Sequence, residues 1–268
     1  MSFQPVVPLS GYTGWLFMSR TADSQKAAFN DSAPVQRVTD NFREKIGEIK
    51  TADQLVNDRA LLSVALGAFG LDEDIDNRFF IRKILEDGTT EQDALANRLA
   101  DPRYAALSDA FGFGSTTGVV RTGFSFFADE IIDRYEAKQF ERAVGEQDND
   151  MRLALNLGPA LNDILDGGGS NNGQWFSMMG NGPLRTIFET ALGLPSSIAQ
   201  IDLDQQLTSF KEKSEAVFGT DKLSDFNDPV KRQELLRMFL IRSEANSASS
   251  LSGNNIALTL MQSAPRFF

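Results

Sequence analysis

The sequence predicts an all-α protein, made of two sequence-related helical units that form a helical bundle and are joined by a long connecting helix. Signals that begin and end helices recur along the chain, whereas patterns typical of strands are nearly absent. In addition, the stretch LLSVALGAFGL at 61–71 aligns without a gap with LRTIFETALGL at 184–194. An internal sequence match of this length indicates a duplicated helical unit.

The composition restricts the chemistry of the protein. The 268 residues carry a net charge of −11 and include neither cysteine nor histidine. Such acidity argues against nucleic acid or an anionic membrane as a partner, because both are bound by clustered Lys and Arg. Without His and Cys, neither a Ser-His-Asp triad nor the usual zinc site can be built. We therefore expect no catalytic residues, no metal and no cofactor.

The N-terminal arm, residues 1–40, is expected to pack on the core. Residues 1–19 hold no charged side chain, and Pro5 and Pro8 interrupt the apolar residues. The basic start and the continuous apolar run of a cleaved secretory signal are therefore missing. We expect a protein that is made in the cytoplasm and has no transmembrane span.

The first helical unit is expected over residues 41–123. Its apolar run up to residue 69 is typical of a buried helix, and Gly70 can end that helix in the left-handed conformation. Leu71 is placed for the hydrophobic contact that commonly accompanies such a C-cap. Gly193 and Leu194 reproduce the arrangement in the second half of the chain.

The second helical unit is expected over residues 155–243. An Asp-Pro pair opens a helix in each half, with Asp101 and Asp228 as N-caps and Pro102 and Pro229 as first helical residues. A further match joins NFREKIGEI, which begins at 41, to NLGPALNDI, which begins at 156. Three matches in the same order support the duplication.

Residues 124–154 between the units are predicted to form the connecting helix, because apolar residues follow helical spacing there. Residues 244–268 are predicted to be a small, polar linker followed by an apolar C-terminal tail. The tail has two interpretations: it packs on its own core, or it docks on a partner or a second copy. The candidate partner-binding residues are Ile256, Leu258, Leu260, Met261, Phe267 and Phe268.

Two motifs resemble binding loops and fail on their spacing. DEDIDN at 72–77 resembles the start of an EF-hand loop, but its sixth residue is Asn77 and the twelfth is Lys83. GFGSTTG at 112–118 fits neither the dinucleotide-binding nor the Walker pattern, and no strand precedes it. We interpret the first as a helix start and the second as a loop.

Several blocks of the chain, in order, resemble an alphaproteobacterial family known as domain of unknown function 1217. The blocks include TADQLVNDRALLSVALGAFGL, ANRLADPRYAALSDAFGF and QFERAVGEQDNDMRLALN, and the resemblance covers roughly residues 40–243. It implies an all-helical protein, and members are frequently encoded beside flagellar genes. The family provides no established catalytic residues.

From this resemblance we expect a non-catalytic flagellum-associated protein that serves as a structural, assembly or adaptor factor. Its partner would be a protein, such as a flagellar component, or a second copy bound through the C-terminal tail. The protein would stay in the cytoplasm or leave by the flagellar export route. Two alternatives remain: a soluble enzyme with a carboxylate-based site between the repeats, and a cytoplasmic adaptor unrelated to motility.

Overall fold

A computed structural model describes residues 3–99, 101–114 and 120–263, and side chains up to residue 247. Every regular element within these ranges is helical, so the prediction of an all-α protein is confirmed. None of the described helices combines the length and the apolar composition that crossing a lipid bilayer requires.

The chain divides into two compact units. Unit 1 comprises residues 1–6 and 20–147, and unit 2 comprises residues 7–19 and 148–268. Helix α1 (Gly11–Asn30) contributes residues to both units. The other helices of unit 1 are α2 (Ala33–Lys45), α3 (Ala52–Asn57), α4 (Arg59–Ala68), α5 (Arg78–Asp87), α6 (Leu95–Arg98), α7 (Pro102–Phe111) and α8 (Phe127–Gly145).

Helix α4 forms the centre of unit 1. Its residues from Leu61 to Ala68 are buried except for Ser63, as its apolar sequence predicts. Helices α2 and α8 pack against it. Gly67 allows α8 to approach closely, because a Cβ atom at this position would lie 2.8 Å from the ring of Tyr135.

The segment 124–154, predicted as one connecting helix, contains two helices that belong to different units. Helix α8 belongs to unit 1, where it buries Phe127, Ile131 and Phe140. A new helix begins after Asp148, whose side chain accepts hydrogen bonds from two backbone amides of the next turn. The sequence-based boundary was misplaced because helical spacing continues on both sides of this cap.

Unit 2 is built around buried aromatic rings. Trp175 and Phe226 both make edge-to-face contacts with Phe188, at centroid distances of 5.5 and 5.2 Å. Such contacts add specific geometry to the burial of the rings. The helices of unit 2 are α9 (Asn149–Asp166), α10 (Asn171–Gly180), α11 (Gly182–Leu192), α12 (Leu203–Phe218) and α13 (Pro229–Ser263).

Helix α13 continues through the segment that was expected to be a linker. Its helical backbone extends to Ser263, which differs from the predicted break over residues 244–255. Small and polar residues such as Ala, Ser and Glu do not end a helix unless a cap or a proline accompanies them. The next proline is Pro265, beyond the last described residue.

The helix ends of the two units match in detail. Gly70 and Gly193 adopt left-handed conformations, with φ of +68° and +67°. After each glycine, the amide of Leu71 or Leu194 donates to a carbonyl oxygen five residues earlier, at 2.9 Å in both cases. This pattern is a Schellman motif, so the predicted C-caps are present.

The predicted Asp-Pro caps are also present. The carboxylates of Asp101 and Asp228 accept from the backbone amide two residues later, at 3.0 and 2.7 Å. Pro102 and Pro229 are the first helical residues. These caps match locally between the two units, and the duplication of the whole unit stays a prediction.

Candidate functional site

An acidic 3-10 turn, Asp72–Asp76, lies beside a cleft in unit 1. Asp72 accepts a hydrogen bond from Gln139 at 2.8 Å and forms an ion pair with Arg142 at 3.1 Å. Both partners belong to α8. The carboxylate therefore fastens the turn to α8.

The other two aspartates of the turn are also paired. The hydroxyl of Tyr104 donates to Asp74 at 2.7 Å, and Arg59 contacts Asp76 at 2.6 Å. Burial, followed by the hydrogen bond to Asp74, raises the pKa of Tyr104 to about 12. The phenol thus remains protonated at neutral pH and continues to donate. Among the described residues, no group of carboxylates has the arrangement of a metal site.

The cleft beside this turn has a volume of about 530 Å³. Ser63, the one exposed residue between Leu61 and Ala68 of α4, lies in its wall. The full set of lining residues is Arg59, Ala60, Ser63, Leu66, Asp72, Ile75 and Arg142.

The charged side chains in the wall of the cleft are held by neighbouring residues. Asp72 is held by a cation and an amide donor, both from α8. Ser63 has no histidine or lysine base among the lining residues. The arrangement instead resembles an electrostatic clamp that fixes the turn on α4 and α8.

Exposed apolar side chains are the second kind of candidate. Phe79, in the first turn of α5, is 75% exposed. In unit 2, Ile201 and Leu203 are 41% and 53% exposed at the start of α12. Helical spacing alone could not identify these exposed side chains. It shows which residues share one face of a helix, but not which other elements cover that face.

All six predicted partner-binding residues lie outside the part of the chain whose side chains are described. Ile256, Leu258, Leu260 and Met261 lie on the helical backbone of α13, past the last described side chain. Phe267 and Phe268 lie outside the described residues. The docking role of this tail therefore remains a prediction.

Comparison with known proteins gives a family and a structural neighbour. The family model described as "Protein of unknown function (DUF1217)" matches residues 68–231. The chain is also similar to the X-ray crystal structure of protein AGR_C_984 from Agrobacterium tumefaciens. The two share 27% sequence identity with a TM-score of 0.69, over 90% of this chain and 98% of that chain. No curated protein matches at a significant level.

Proposed function

Since this chain belongs to the family described as protein of unknown function (DUF1217), and the resemblance to that family implies a link to flagellar genes, we propose a flagellar role. In this proposal the protein is non-catalytic and acts as a structural, assembly or adaptor factor. It binds a protein partner, either a flagellar component or a second copy, and works in the cytoplasm or after export by the flagellar route.

The extension of α13 is the observation that carries this proposal. The helix is anchored to unit 2 through Arg242, which donates to the carbonyl of Ala191 at 2.7 Å, and through Ser243, which donates to Asp150. Residues 244–247 are exposed, and the helical backbone continues to Ser263.

A helix without packing partners gains little stability in water, even at a length of about 15 residues. The sequence of the extension supplies several apolar residues after a run of small polar ones. A partner that covers these residues would stabilise the helix, and burial of each large side chain contributes about 1.5–3 kcal/mol before ordering costs. This favours a binding role for the extension.

The proposal is tested by deleting the gene and restoring it in several forms. We expect the deletion to reduce the number of flagella, counted by electron microscopy, and the swimming speed. The full chain should restore both, whereas a chain that ends at residue 247 should not. Leu258→Asp with Leu260→Asp should fail likewise, and the charge-matched control Asn254→Asp with Asn255→Asp should succeed.

Other outcomes would favour the alternatives. Normal swimming after the deletion would contradict a flagellar role and leave an adaptor unrelated to motility. Full restoration by the truncated chain would show that the extension is not the binding element. The soluble-enzyme alternative predicts instead that Asp72→Asn abolishes restoration while the tail variants do not.

A further inference from the structure

The start of α5 presents an apolar side chain together with an unpaired cation. Phe79 is 75% exposed, and the guanidinium of Arg82 lies 5.5 Å from the centroid of its ring. Arg82 also pairs with Asp53 at 3.1 Å. Arg78 is exposed and forms no ion pair within the described part of the chain.

The start of α12 presents apolar side chains together with carboxylates. Ile201 and Leu203 are 41% and 53% exposed. Asp202 caps the helix by accepting from the amide of Asp204 at 2.9 Å. The carboxylate of Asp204 is exposed and forms no ion pair with any residue that the structure describes.

The surfaces at the starts of α5 and α12 carry opposite charges, and each exposes an apolar side chain. Each lies at the first turn of a helix that follows a five-residue 3-10 turn, Asp72–Asp76 or Ser196–Gln200. We propose that the start of α5 in one copy of this chain docks on the start of α12 in a second copy. Phe79 packs on Leu203, and Arg78 lies opposite Asp204.

Charge complementarity identifies the occupant as a second copy. A partner for the α5 surface needs an exposed apolar side chain beside a carboxylate that forms no ion pair, and Leu203 and Asp204 of the same chain provide both. Such a contact joins unlike surfaces, so a bound pair retains one free surface of each kind and further copies can add. The contact is small, so we expect weak association that depends on concentration and on salt.

Sedimentation of the purified full-length chain at low ionic strength tests the proposal. We expect the wild-type chain to show reversible self-association. Phe79→Ser, Arg78→Glu and Asp204→Arg should each weaken the association about tenfold or more, because they remove the apolar contact or place like charges opposite each other. The controls Arg20→Glu and Glu212→Arg change exposed charges elsewhere and should have little effect.

Mixing the two charge-reversal variants gives the sharper result. Neither Arg78→Glu nor Asp204→Arg should associate alone, but an equimolar mixture should, since every contact in an alternating assembly then joins opposite charges. Recovery in the mixture also shows that both variants are folded.

Three results would overturn the proposal. In the first, the wild-type chain stays monomeric up to high concentration. In the second, the charge reversals weaken self-association no more than the controls do. In the third, the equimolar mixture of the two charge-reversal variants does not associate. Association that survives all three substitutions and is lost on removing residues 248–268 would assign it to the tail instead.

Discussion

Two glycines of unit 2 allow the cost of a left-handed residue to be separated from the cost of a lost hydrogen bond. Gly193 and Gly219 have φ of +67° and +68°, so replacement by alanine strains the backbone equally at both positions. Their surroundings differ. A Cβ atom at Gly193 would lie 2.8 Å from Nη1 of Arg242, whereas nothing lies within 4 Å of a Cβ atom at Gly219.

The contacts of each glycine indicate how much free energy of unfolding each substitution should cost. Alanine in a left-handed conformation costs about 1 kcal/mol, and this should be the whole effect of Gly219→Ala. In Gly193→Ala the guanidinium of Arg242 must also move, although it donates to the carbonyl of Ala191 at 2.7 Å. Loss of that charge-assisted hydrogen bond adds about 1–2 kcal/mol. We therefore expect Gly193→Ala to cost about 2–3 kcal/mol in total.

Urea denaturation followed by tryptophan fluorescence measures these costs. Both tryptophans, Trp15 and Trp175, lie in unit 2, so the signal reports the unit that carries the two substitutions. Arg242→Met keeps the aliphatic stem and removes the donor, and in that background the excess cost of Gly193→Ala should vanish. Equal losses for Gly193→Ala and Gly219→Ala in the wild-type background would refute this explanation.

Three further substitutions have expected outcomes. Ser214→Ala should raise the thermal midpoint and add up to about 1 kcal/mol to the free energy of unfolding, because the buried hydroxyl has no partner among the described residues. Arg185→Met should lower the free energy of unfolding in urea by about 1–2 kcal/mol, because it leaves the half-buried Glu189, 2.7 Å from the guanidinium, without its cation. Burial, followed by repulsion from Asp133, raises the pKa of Glu136, so the wild-type chain loses stability as pH rises through that pKa. Glu136→Gln should therefore be the more stable protein at pH 7 in chemical denaturation, and its advantage should disappear as the pH falls towards the ordinary pKa of glutamate.

Local chemistry explains which parts of the fold could be predicted from the sequence. The C-caps at Gly70 and Gly193 and the N-caps at Asp101 and Asp228 depend on a few neighbouring residues. Their signals are therefore complete within a short stretch of chain. The boundary between the units was harder to place, because the cap at Asp148 interrupts a stretch whose helical spacing continues on both sides.

The candidate site depended on contacts between distant parts of the chain. The spacing of DEDIDN excluded an EF-hand loop, but it gave no indication of the residues that neutralise its carboxylates. Gln139 and Arg142 come from a helix more than sixty residues away, and Asp72 meets them only after α8 has packed on α4. Phe79 could not be predicted to be exposed for the same reason. Whether its ring is covered depends on neighbouring elements and not on its position in the helical pattern.

The Asp-Pro pairs show why equal local signals need not mark equivalent helices. Asp101 starts α7 and Asp228 starts α13, yet α11 packs most extensively on α13, whereas its counterpart α4 packs most extensively on α8. We therefore expect α8, and not α7, to play in unit 1 the part that α13 plays in unit 2. Hydrogen exchange tests this directly. Amides of α8 and of residues 235–240 in α13 should exchange as slowly as those of α4 and α11, and amides of α7 should exchange faster, because slow exchange follows dense packing on the core. If α7 were as protected as α13 and α8 exchanged quickly, the pairing of helices by their caps would be correct and the pairing by packing would be wrong.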